Sequence, residues 1–128
     1  MKPSTIQGIG LFANEKILKG TTTWLYDPRF DISFDPKDVE QMLPEQQELI
    51  KRCSYLSMIS GKYIFSIDDS RFTNHSKKTY NIDPVIFPGE SEPRGVARRD
   101  IEVGEELLDN YCLFDATDQK SGEKYLET

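Results

Sequence analysis

The strand-forming stretches of this sequence are short, and turn formers interrupt them. TTTWLY, residues 21–26, follows Gly20, is rich in β-branched and aromatic types, and runs into DPRFD, which reads as a turn. KYIFSI (62–67) alternates as a strand does, and IDPVIF (82–87) is another, stopped by PGESEP (88–93), an exposed loop. GVARRDI and GEELL make two more strands around a turn at Glu102 to Glu105, and Ile9 to Ala13 is an early apolar piece. One segment has a different period. Asp35-Pro36 is an N-cap with proline at the first helical position. Val39, Met42, Leu43, Leu49, Ile50, Cys53 and Leu56 then recur at helical spacing; Pro44 divides the segment and Gly61 closes it. The expected class is α+β, mostly β, with a helical insert at about 36–58. The expected organisation is one domain over 1–115 and a polar tail over 116–128.

A chain of 128 residues buries a core without staples. Its 16 basic and 22 acidic residues give a net charge of −6, which argues against broad phosphate-backbone binding and so against a direct nucleic-acid role. The same charge is compatible with a basic protein or peptide partner, though many soluble proteins are acidic for solubility alone. Cys53 and Cys112 form no CxxC pair, and with a single histidine they make a poor zinc set, so no metal is expected. Reduced thiols in a cytosol-like compartment are expected, cytoplasmic or, in a eukaryote, nuclear. MKPSTIQGIGLF lacks the apolar stretch of a signal peptide, and no apolar run approaches the roughly 20 residues that span a bilayer.

Three separated stretches carry chemistry. IQGIGLFA (6–13) holds a Gly-x-Gly, where backbone can approach a ligand with no Cβ in the way. RFTNHS (71–76) contains the only histidine. GEELLDNY (104–111) ends in a tyrosine, with ARRDI just upstream. In this order and spacing they resemble the SET-domain family of protein lysine methyltransferases, over about residues 2–115. The resemblance implies small twisted β-sheets. It also implies a knot-like crossing of the NHS strand with the C-terminal tyrosine segment. The resemblance implies two pockets back to back at that crossing, one for S-adenosyl-L-methionine and one a narrow channel for a lysine of a protein or peptide substrate.

The implied reaction needs a neutral amine. Free lysine has a pKa of about 10.4, so deprotonation at pH 7 costs roughly 4.6 kcal/mol. A dry channel beside a cationic sulfonium lowers that pKa, and alignment of nitrogen, methyl and sulfur supplies the rest. The resemblance places Tyr111 at the catalytic position and Tyr26 at a channel position; the alternatives are a tyrosine closing a strand and a strand aromatic. Asn74 is implied to bind the methionine part of the cofactor by its side chain, and His75 the adenine edge by its main chain, with no acid–base role. Gln7, Gly8, Ile9 and Gly10 are implied to touch the cofactor through backbone. Arg71 and Phe72 anchor the segment and line the pocket, and Phe114 covers adenine or the lysine channel, or belongs to the core.

The sequence also departs from the family. KKTYN follows NHS without the usual proline and with Asn81 a step late, and Asp109-Asn110 replaces the usual Tyr-Asp. Cysteine-rich flanks that close the lysine channel in relatives have no counterpart here. The channel is then left to the tail, a partner copy (a homodimer) or the substrate. An altered, non-catalytic SET-like binding module is the alternative function.

Overall fold

In the computed structural model, which describes residues 1–6 and 8–116, the chain opens with a two-stranded ladder of β1 (Lys2–Pro3) and β2 (Ile9–Gly10). Next comes β3 (Thr22–Trp24), within the expected TTTWLY. The turn predicted at DPRFD forms over residues 28–30, but Asp31 leaves it to begin β4 (Asp31–Phe34), a strand the sequence does not announce. The Asp31 side chain accepts from Ser66 Oγ at 2.6 Å and from the Asp27 amide at 2.8 Å. A buried carboxylate thus fastens the turn to the neighbouring strand.

Two helices follow where the proline signals put them. Asp35 caps α1 (Pro36–Glu40) by accepting from Lys37 N, and Pro44 opens α2 (Pro44–Cys53). The helical period carried the expected insert too far. Ser54 is already extended, and Leu56 belongs to β5 (Tyr55–Leu56), which pairs with β6 (Tyr63–Ser66) across a turn that ends near Gly61. Leu56 keeps the helical spacing because it packs against the same cluster as the helices. That cluster is Val39, Ile50 and Tyr63, with Phe34, Met42 and Phe65 against it.

A 3-10 turn over Asp69–Phe72 leads into β7 (Asn74–His75). Then come β8 (Ile82–Val85), β9 (Arg94–Ala97) and β10 (Leu108–Asp109), and a 3-10 turn over Tyr111–Leu113. The stretch read as the strand GEELL is narrower as a strand. Glu106 makes only an isolated bridge to Phe12, and regular pairing begins at Leu108. Nor is PGESEP wholly exposed: Glu92 is 2% exposed, because its carboxylate turns inward to a tyrosine.

β4, β6 and β5 make one antiparallel sheet, and a mixed sheet has the order β3-β9-β8-β10-β7. β10 is thus inserted between β8 and β7, parallel to both, which is the crossing expected of the C-terminal segment. Asn81 pins it: its side chain donates to Glu106 O and accepts from Leu108 N, both at 2.8 Å. A second core lies under this sheet, with Ile101 at 0% exposure among Ala13, Ile82, Ala97 and Leu107. Burying such an isoleucine contributes about 1.5–3 kcal/mol. The architecture is the expected mostly-β α+β class. The polar tail expected over 116–128 falls, but for Ala116, outside the described residues. No described helix is long and apolar enough to cross a membrane.

Candidate active site

Residues of both larger sheets line one cavity of about 1270 Å³. Ligand pockets for drug-sized molecules run to roughly 300–1,000 Å³, so this one has room for more than one ligand group. An aromatic path crosses it. Trp24 meets Tyr55 edge-on at 6.2 Å, Tyr55 meets Phe114 at 5.2 Å, and Phe114 meets Tyr111 at 5.9 Å. Edge-to-face pairs of this kind contribute about 0.5–1.5 kcal/mol each beyond their burial. Tyr55 donates to Glu92 at 2.9 Å. Burial, and then the Glu92 charge and hydrogen bond, push the Tyr55 phenol well above its ordinary range, so it stays protonated.

Tyr111 is held from two sides by the RFTNHS segment. Its amide donates to His75 Nδ1 at 3.0 Å, and its hydroxyl donates to the Thr73 carbonyl. The register of β7 with β10 makes this possible, because Leu108 sits opposite Asn74 and Asp109 opposite His75. As acceptor, Nδ1 carries no proton, so the His75 ring, 3% exposed, is the Nε2–H tautomer. Its side chain therefore does more than pack: it positions the Tyr111 backbone. Since the Tyr111 hydroxyl proton is engaged by Thr73, the phenol oxygen has acceptor capacity for an N–H.

A second cluster surrounds the Glu106 carboxylate. Ser4 Oγ donates to it at 2.7 Å, and Asn74 Nδ2 at 2.9 Å; Nδ2 also donates to the Ile9 carbonyl at 3.2 Å. Gly10 is required here, since a Cβ at this position would stand 2.8 Å from Glu106 Cδ. Gly8, at φ +46°, turns the chain so that its carbonyl accepts from Ser4 N at 2.7 Å. Removing the Asn74 amide frees the Ile9 carbonyl and one side of Glu106. Asn74→Ala is expected to lower stability by about 1–3 kcal/mol, read as a shifted urea midpoint. An unchanged midpoint would show that Asn74 does not tie these segments together.

Of the residues the sequence singled out, Arg71, Phe72, Tyr111 and Phe114 line the cavity, and Arg71 lies over the Phe72 ring at 4.8 Å. Gly8, Ile9, Gly10, Asn74 and His75 gather next to it rather than on its wall. Gln7 lies outside the described residues. Tyr26 is not brought to the cavity. β3 ends at Trp24, whose ring reaches it, and the Tyr26 hydroxyl pairs with Ser33 Oγ at 2.8 Å instead. Sequence reasoning missed Thr73, Tyr55 with its Glu92, and Glu106. It saw Asp109 only as a departure from the motif. The signal for Asp109 was a carboxylate directly after the apolar pair Leu107-Leu108, at the end of a strand. Among the described residues no group of three or more His, Cys, Asp or Glu is set to hold a metal ion.

The SET domain family model matches residues 8–112. The chain belongs to the SET-domain family. Among solved structures, this SET domain is similar to apo Polycomb Repressive Complex 2 of Chaetomium thermophilum in an autoinhibited state. Identity is 27% and the TM-score 0.64, covering 94% of this chain and 16% of that one. The autoinhibited form of that complex bound to S-adenosylmethionine matches at 26% identity and a TM-score of 0.61, again covering 94% and 16%. A SET8 protein from Cryptosporidium shares the fold at 24% identity and a TM-score of 0.55, covering 84% of this chain and 54% of that one. This SET domain thus spans about a sixth of the Polycomb chains it matches. No curated protein matches the sequence.

Proposed function

We propose that this SET domain is an S-adenosyl-L-methionine-dependent protein lysine methyltransferase, with Tyr111 as its catalytic residue. One observation carries the reading: Tyr111 is tied to residues 73 and 75 at both its hydroxyl and its amide, with its ring on the cavity wall. A phenol fixed in this way can orient an amine without reorganising as the reaction proceeds.

The residues present fit the cofactor. The cavity has room for it together with a lysine side chain, its aromatic walls suit a sulfonium and an ammonium, and Arg71 suits an amino-acid carboxylate. Gly8, Ile9, Gly10 and Asn74 lie beside this cavity, on the cofactor side in this reading, with the Ile9 carbonyl met by Asn74 and the Gly10 face by Glu106. When bound, S-adenosylmethionine supplies a methyl group activated on sulfonium. The chain's own part is to exclude water with Trp24, Tyr55 and Phe114 and to hold the lysine nitrogen at the Tyr111 oxygen. The substrate in this reading is a basic protein segment, in keeping with a net charge of −6.

The test is thermal unfolding with and without S-adenosylmethionine, followed by methyl transfer onto mixed basic proteins. Ligand at about 100 times its dissociation constant adds roughly 2.7 kcal/mol, which should raise the midpoint by about 10 °C. No shift at millimolar cofactor would defeat the reading. A shift without any transfer would establish instead a non-catalytic SET-like binding module, which the altered KKTYN and Asp109-Asn110 segments favour.

A further inference from the structure

Asp109 is a carboxylate in an unexpected place. It lies in β10, two residues before Tyr111, and Leu107, Asp109 and Tyr111 all line the cavity. Its backbone is used by the sheet, since its carbonyl accepts from Ser76 N at 2.9 Å. Its carboxyl makes no hydrogen bond or ion pair with any described residue. Leu11, Ile82 and Leu107 of the same wall are apolar. A carboxylate in such surroundings is costly unless a cation meets it.

We propose that Asp109 receives the ammonium of the substrate lysine and takes its proton, leaving the neutral amine beside Tyr111. The inference rests on the lysine methyltransferase reading and deepens it. The step balances simply. The N–H bond of the ammonium breaks, its electron pair stays on nitrogen, and the proton passes to a carboxylate oxygen of Asp109. The proton passes on to solvent once the methylated product has left the cavity.

The neighbouring groups are already committed. On β7, the His75 ring accepts from Tyr111 N, and on β8 Asp83 stands 3.9 Å from Arg98. In the C-terminal 3-10 turn, the Tyr111 hydroxyl is held by Thr73. Elsewhere on the cavity, Arg94 binds Glu90 at 2.8 Å, Asp115 accepts from Leu56 N at 3.2 Å, and Arg71 lies over Phe72. None of them pairs with the Asp109 carboxyl. Burial alone pushes it up to about 7, toward the range in which it can exchange a proton near neutral pH.

The experiment uses n-butylammonium as a truncated lysine side chain and n-butanol as its uncharged counterpart, with carbon-13 NMR of the Asp109 carboxyl. S-adenosylmethionine affinity is measured alongside. In the parent protein, butylammonium should shift the Asp109 titration to lower pH. Asp109→Asn should weaken butylammonium binding about tenfold or more near pH 8, as loss of a charged hydrogen bond does, with butanol binding unchanged. A parent titration that butylammonium does not move would overturn the inference without reliance on any variant. So would equal butylammonium affinity in both proteins while cofactor still binds. A drop in cofactor affinity alone would assign the carboxylate to the cofactor and overturn it too. Absence of cofactor binding in both proteins would instead sink the methyltransferase reading, and this inference with it.

Discussion

Tyr111→Phe should leave the protein folded and cofactor binding intact while slowing methyl transfer by about a hundredfold or more, the scale of losing alignment at a reacting atom. Only the hydroxyl is removed. The ring keeps its edge contact with Phe114 at 5.9 Å, and the amide keeps His75 Nδ1 at 3.0 Å, so the segment stays in place. The Thr73 carbonyl loses its donor, at a cost of about 1 kcal/mol, because without substrate or cofactor in the cavity water can replace it. The split between a large kinetic and a small thermodynamic effect is the signature to look for. Single-turnover rates and a urea melt on the same preparations provide it. An unchanged single-turnover rate would remove Tyr111 from the mechanism.

Asp109→Asn should stabilise the protein in a pH-dependent way. In the unfolded chain the carboxyl titrates near 3.9, whereas in the folded chain burial holds it up to about 7. Between those values the folded state retains a proton that the unfolded state has released. Stability therefore falls as pH rises through this window, and the full cost is present above about 7. Asparagine carries no such cost. The variant should match the parent near pH 4 and exceed it by about 2–4 kcal/mol near pH 8. Urea unfolding of both proteins at the two pH values measures the difference directly, and a gap that does not grow with pH contradicts it.

The helices were legible because proline and aspartate mark their starts chemically: Asp35 caps α1, and Pro44 cannot continue a helix from behind. β4 was not. Asp31-Ile32-Ser33-Phe34 alternates polar and apolar, but over only four residues between a turn and the Asp35 cap, and its most buried member is the carboxylate of Asp31 while Ile32 is exposed. β5 was hidden by coincidence, Leu56 falling on the helical period while the chain had already extended at Ser54. In the site, Tyr111 could be found because its motif is local. Tyr55 with Glu92 could not, because the pair is assembled across 37 positions and neither residue looks unusual in its own segment. The role of His75 was half visible. A histidine without a nearby carboxylate in sequence suggested no proton transfer, but only β10 lying against β7 reveals whose amide its ring accepts.

The insertion of β10 between β7 and β8 also fixes an order of events in folding. The helices and the β4-β6-β5 sheet use contacts within residues 31–66 and can form early. The β8-β10-β7 part of the larger sheet cannot, because β10 comes from residues 108–109 and pairs in parallel with strands from residues 74–75 and 82–85. Such non-local parallel pairing is reached only after a large loss of loop entropy, which makes it a slow step. Asn81, bonded to both Glu106 and Leu108, acts as the latch that closes behind it. Tyr111 is carried into position by that same strand. A chain that has not completed its sheet therefore has no assembled site around Tyr111.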